Sequence, residues 1–230
     1  VNIIFFFYYK LNVQGSLLAV GTQEDSIKFT ADNIETGWHG IRFNQTPSTN
    51  DTSKLVYCTF MYGKANTGAY SGFDRCGGAI FIKGFSKVLI SNSLFQSNMN
   101  DGNIAAATGG AAIYIANADK PTITDNTFLN NVGTTDCAIL SWYTNVIITK
   151  NIFSNNSGPH GPIFCAYNSA TISDNIISHN ITTRAGGGIF NMTSQTTVTN
   201  NIIIYNQSFG GEGEGGGIKC WIGDTSIIIN

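Results

Sequence analysis

The segment Gly77–Asn98, GGAIFIKGFSKVLISNSLFQSN, sets two short apolar runs on either side of KGFSK, opens on a glycine pair and closes on an asparagine. It reads as neither one helix nor one hairpin, and its pattern returns along the chain. With Ile90 as an anchor, the equivalent positions are Leu55, Ile123, Ile148, Ile172, Val198 and Ile228; successive anchors lie 35, 33, 25, 24, 26 and 30 residues apart. Five residues after each complete anchor stands a large apolar residue: Phe60, Phe95, Phe128, Phe153, Ile177 or Ile203. Eight residues after stands Asn98, Asn131, Asn156, Asn180 or Asn206, with Gly63 in the first copy. Upstream of the anchors from Ile90 onward stand Ile80, Ile113, Ile139, Ile163, Ile189 and Ile218. A unit of about 24 residues with insertions in one place signifies a stacked array rather than a set of independent elements.

Each unit holds three runs of only three to six residues, rich in Ile, Val, Phe and Thr and separated by Gly, Asn, Asp and Ser. No run is long enough for a helix. Three short strands per turn, stacked on the next turn at about 4.8 Å, predict an all-β right-handed parallel β-helix, a solenoid of about seven to eight coils. Inward isoleucine then meets isoleucine, and a buried asparagine bonds the amide of the next coil, so few polar groups are left unsatisfied. A second asparagine column, Asn126, Asn151, Asn175 and Asn201, is expected at a tight left-handed corner. Of six N-x-S/T sequons, Asn180, Asn191 and Asn206 are expected to be buried, and Asn44 and Asn50 to be accessible in a loop.

The GGAI of Gly77–Ile80, followed by F-x-x-N at Phe95–Asn98, Phe128–Asn131 and Phe153–Asn156, resembles the paired motifs of the chlamydial polymorphic outer-membrane proteins. More broadly the chain is similar to the parallel β-helix repeat family of bacterial secreted and surface proteins, and Gly15–Phe43 looks like the opening coils of such proteins. CAIL, GPIF and GGIF replace GGAI in later copies, and Ile177 and Ile203 replace the phenylalanine. The resemblance implies a secreted or cell-surface location. It leaves the activity open, because adhesins, lyases, hydrolases and epimerases share the fold.

Composition adds bounds. One repeat pattern without a Pro- or Ser-rich linker reads as a single domain over residues 1–230, with opening coils at 1–43, repeat coils at 44–230 and long loops at 63–76, 99–109 and 207–216. A charged fraction of 11% and a net charge of −2 leave no basic stripe for nucleic acid. The opening VNIIFFFYY is too short to span a membrane and reads as strand. Because the chain stops inside a coil, it reads as a fragment of a longer one. Cys165 and Cys220 share an inward column two coils apart, beyond disulfide reach, and Cys58, Cys76 and Cys137 lie elsewhere. All five are expected to be free buried thiols, and no spacing suggests a metal or other cofactor.

The insertions all follow the third strand, so the first-strand face beside them is the expected working face. Its parity follows from cost. Turning Ile80, Ile113, Ile139, Ile163, Ile189 and Ile218 inward, with Ile82, Ile115, Ser141, Cys165, Asn191 and Cys220, avoids burying Lys83 and Lys219. The outward residues then include Phe81, Tyr114, Trp142, Phe164, Phe190 and Trp221, a stripe on the order of 300 Å² expected to bind a ligand, or to be covered by a loop or a second copy of the chain. Should the chain be a catalyst, Asp74, Arg75 and Lys83 are the candidate residues, converging beside Tyr114. The outward stripe has no carboxylate, which disfavours a lyase, hydrolase or epimerase acting on acidic polysaccharide. Thr122, Thr124, Thr171, Thr197 and Thr199 suggest an ice-binding array, interrupted by Leu89 and Ile147. The sequence therefore predicts a non-catalytic secreted or cell-surface module that binds glycan or protein along the first-strand aromatic face.

Overall fold

The computed structural model describes residues 1–67, 72–101, 109–134, 136, 138–210 and 215–229. Cys137 and parts of the three long loops lie outside these residues. Three sheets of eight strands and one of six run along the molecule. The first-strand sheet extends from Leu11–Asn12 to Ile218–Trp221, the second from Leu18–Val20 to Ile227–Ile229, and the third from Asn2–Phe5 to Ile202–Ile204. Pairing is parallel and in register: Ile90 lies between Leu55 and Ile123, and the column continues through Ile148, Ile172, Val198 and Ile228. This is the right-handed parallel β-helix that the repeat predicts.

Each coil carries more than the three strands expected. A fourth, six-stranded sheet runs from Lys64–Ala65 to Gln207–Ser208, just where the insertions begin. Its strands Met99–Asn100 and Val132–Gly133 are only two residues long and lack an apolar pattern, so their pairing comes from the coils above and below rather than from their own sequence.

The glycine pair of the opening segment has a steric origin. Gly77 has φ +60°, and a Cβ on Gly78 would lie 2.4 Å from the carbonyl oxygens of both Ala111 and Met99. The chain turns left-handed and then passes against neighbouring backbone, which only glycine allows without displacement.

Inside, Phe29, Phe60, Phe95, Phe128 and Phe153 form a ring stack with centroid spacings of 5.1, 4.8, 4.7 and 4.6 Å. Such pairs contribute about 0.5–1.5 kcal/mol each beyond burial. Asn98, Asn131, Asn156, Asn180 and Asn206 form a ladder in which each side-chain Nδ2 donates to the next Oδ1 at 3.0, 2.9, 2.9 and 2.8 Å. The second asparagine column is also a buried ladder, with Asn126, Asn151, Asn175 and Asn201 linked at 3.0, 3.1 and 2.9 Å. The left-handed corner expected there belongs instead to the preceding residues Asp125, Lys150, Asp174 and Asn200, at φ 57°, 57°, 58° and 56°. Turning the chain one residue earlier lets the asparagine point inward, where its Oδ1 accepts from the backbone amide of the preceding coil.

Among the sequons, Asn180 and Asn191 are buried, Asn206 is half-buried and Asn44 is exposed. Asn206, expected to be buried, and Asn50, expected to be accessible, depart from expectation in being half-buried, and Asn50 Nδ2 donates to the Gln14 carbonyl at 2.9 Å. Cys58, Cys76 and Cys165 are free and buried, and burial pushes each thiol up to about 12. Cys220 is free but exposed.

Candidate functional site

The first-strand parity holds. Ile80, Ile82, Ile113, Ile115, Ile139, Ile163, Cys165 and Ile189 join the central core, while Phe81, Tyr114, Leu140, Phe164 and Phe190 face the other way. The exposed stripe does not hold. Phe81, Tyr114 and Phe190 are each 2% exposed and Phe164 6%, and with Cys76 and Ala185 they form a second apolar core. Two of the covering residues, Phe73 and His160, come from the segments after the third strand, and Arg42 comes from the neighbouring first strand. Phe73 tilts against Phe81 at 5.8 Å, the Arg42 guanidinium lies 5.5 Å over the Phe81 ring, and His160 stacks on Phe190 at 4.8 Å. The insertion carrying Phe73, the fourth-sheet strand carrying His160 and the first-strand Arg42 thus together bury aromatics that would otherwise face water. Trp142 remains half-buried, and Trp221 is exposed.

Asp74, Arg75 and Lys83 are drawn to separate partners. Asp74 accepts a hydrogen bond from Lys10 Nζ at 3.0 Å. Burial pushes its carboxyl up, but the hydrogen bond and charge of Lys10 outweigh this and leave it below the usual carboxylate value. Arg75 pairs with Asp101 at 2.9 Å, and Lys83 places its ammonium 3.7 Å from the Phe73 ring centroid. Lys83 lines a cleft with Tyr114, as expected, and Asp74 and Arg75 are not among that cleft's described lining residues.

A buried pair that the sequence reading missed forms part of the cover. Asp136 Oδ1 sits 3.0 Å from His160 Nδ1, and burial raises the Asp136 carboxyl against the opposing hydrogen bond of His160. Both residues stand three before a first-strand isoleucine, the register at which Gly77, Gly110 and Gly186 turn left-handed in other coils. The signal was this break in the glycine column.

What stays open is the corner where the first strand ends. Trp142 is followed by Tyr143, 54% exposed, and one coil on stands Tyr167, 39% exposed. The two tyrosine rings stack at 4.8 Å and 8°, and Trp142 meets them edge-on at 5.9 and 5.2 Å. Tyr143 and Tyr167 have φ 49° and 55°, in a column shared with Asn117 and Thr193 at 50° each. A bulky ring is uncommon in this left-handed conformation, whereas Asn tolerates it. The clue in the sequence was tyrosine twice in a corner register, in SWYTN and CAYNS.

Two clefts meet at this corner. One, of about 340 Å³, is lined by Phe73, Lys83, Tyr114, Ala116, Asn117, Trp142 and Tyr143. The other, of about 630 Å³, is a shallow groove along the turns, running from Ser86 to Gln195 past Asn117, Tyr143 and Tyr167. Rings beside amides and hydroxyls offer apolar contact and directional hydrogen bonding together. Among the described residues no group of three or more His, Cys, Asp and Glu side chains is placed to share a metal ion.

The family described as a right-handed β-helix region matches residues 48–230, most of the repeat. Neither the curated proteins nor the solved structures give a match to this chain.

Proposed function

Since the chain belongs to the right-handed β-helix family, a fold that hosts many activities, we propose that it is a non-catalytic, secreted or cell-surface module that binds glycan at the Trp142–Tyr143–Tyr167 corner. The observation carrying this reading is the contrast along one face: Phe81, Tyr114, Phe164 and Phe190 are buried, while Trp142, Tyr143 and Tyr167 stay accessible at two adjoining clefts. Clustered rings beside amides suit the apolar face and hydroxyl rim of a sugar, and a few such anchors dominate binding. The resemblance of GGAI and F-x-x-N to surface proteins supports the location and an adhesin-like role.

The test is a panel of soluble glycans titrated by calorimetry against the wild type, Trp142→Ala and Tyr167→Ala. Loss of about 1–3 kcal/mol of binding with an unchanged circular dichroism spectrum is the expected result. Phe164→Ala serves as the control, because its ring belongs to the second core and its loss costs about 3–5 kcal/mol of folding stability. Unchanged glycan affinity in both corner variants would exclude this site.

A further inference from the structure

The turn groove has a composition that narrows the ligand further, given the glycan reading. Its outer rim alternates by coil. Asn117, Tyr143, Tyr167 and Thr193 directly follow the first strands, and Ser86, Asp119, Asn145, Ser169 and Gln195 stand two residues beyond that column. Between the two rows lie the buried Ala118, Thr144 and Asn168, which form the floor. The floor is fixed by its own ladder: Thr144 N donates to Asn168 Oδ1 at 2.9 Å, and Asn168 Nδ2 donates to Ser141 Oγ at 2.7 Å. The rim is therefore held on a rigid base and repeats at the coil rise of about 4.8 Å. Five successive coils contribute, a span of about 19 Å.

Charge decides the class of sugar. Among the described lining residues Asp119 is the one formally charged side chain, and its Oδ1 already accepts from Asn145 Nδ2 at 2.9 Å. Among the described residues no Lys, Arg or His lines the groove. A polyuronate would bring one carboxylate per sugar to a groove that offers no cation and one anion, so each residue would lose solvation without compensation. Amides and hydroxyls match a chain of neutral hydroxyls instead. We propose that the groove binds an extended neutral polysaccharide lying parallel to the solenoid axis, its successive sugars meeting successive coils.

The experiment titrates the folded protein with cello-, xylo- and manno-oligosaccharides of two, four and six residues, and with oligogalacturonates of the same lengths. Affinity in at least one neutral series should rise tenfold or more from the disaccharide to the hexasaccharide and change little with added salt. Gln195→Ala, at the far end of the groove, should weaken the hexasaccharide severalfold and leave the disaccharide unchanged, whereas Trp142→Ala weakens every length. Tighter binding of oligogalacturonates, or an affinity already complete at the disaccharide, overturns the extended neutral chain and leaves the glycan reading standing. Failure of all four series to bind overturns both.

Discussion

His39 shows how far a single side chain is committed in this fold. Its imidazole is 4% exposed and stacks on Tyr8 at 4.9 Å, and its Nε2 lies 2.7 Å from the Asp74 carbonyl oxygen, so that nitrogen carries the proton. Burial first, and the neighbouring Arg42 charge second, lower its pKa from 6.5 to about 4. A folded-state value below the unfolded one means that protonation favours the unfolded chain. This contribution is fully present above pH 6.5 and is lost as pH falls from 6.5 through 4. It amounts to on the order of 2 kcal/mol. The urea midpoint of the wild type should therefore decline more steeply on acidification across that window than that of His39→Gln, whose side chain at this position is uncharged throughout. Asp74 does not imitate the effect, since its carboxyl is held below 3.8 and its contribution is lost only at lower pH. Equal slopes in the two proteins would mean that the imidazole is protonated where it sits.

The ladders and the cover separate what was legible in the sequence from what was not. The columns of Ile, Phe and Asn were legible because each is a repeated contact with its own kind: Phe95 stacks on Phe128 at 4.7 Å, and Asn131 bonds Asn156 at 2.9 Å. First-strand parity was legible because burying Lys83 is costly. The cover over Phe81 and Phe164 was not, because the segments that supply it vary in length and share no period. The open corner was hidden for a related reason, as Tyr143 and Tyr167 lie outside the strand pattern. The corner conformation was assigned one residue late, to the ladder asparagine rather than its predecessor, and adjacent substitutions separate the two roles. Asn156 Oδ1 accepts from the Asn131 backbone at 3.0 Å, and its Nδ2 donates to the Phe128 carbonyl at 3.0 Å. Asn156→Ala leaves these buried groups unpaired and should cost about 3–5 kcal/mol in urea unfolding. Asn155, exposed with φ 54°, bears only the turn, and Asn155→Ala should cost about 1 kcal/mol. Similar costs for both would show that the ladder adds no stability beyond the turn.

Across the whole molecule, stability is distributed coil by coil, because each coil touches only its neighbours and their interface terms add. The inward first-strand column changes character along this axis: Ile82, Ile115, Ser141, Cys165, Asn191 and Cys220 follow one another in register. Ser141 remains satisfied, since its Oγ accepts from Asn168 Nδ2 at 2.7 Å. Asn191 does not: it is fully buried, its Nδ2 reaches Ser226 Oγ only at 3.4 Å, and its Oδ1 has no hydrogen-bond partner. A buried acceptor without a donor costs about 1–3 kcal/mol, whereas an apolar side chain of similar size avoids that penalty. Asn191→Val should therefore raise the unfolding free energy by about 1–2 kcal/mol, reversing the usual sign of a core substitution. Hydrogen exchange locates the gain. In the wild type the amides of Ile189–Met192 should exchange about tenfold or more faster than those of Ile113–Ala116, whose coil is lined by isoleucine, and the substitution should narrow that gap from the Asn191 side alone. The Phe60–Phe153 stack and the Asn98–Asn206 ladder pass through separate columns, so protection around Phe95 should stay unchanged. A lower unfolding free energy in Asn191→Val would mean that the amide at this level contributes more through Ser226 than its orphaned oxygen costs.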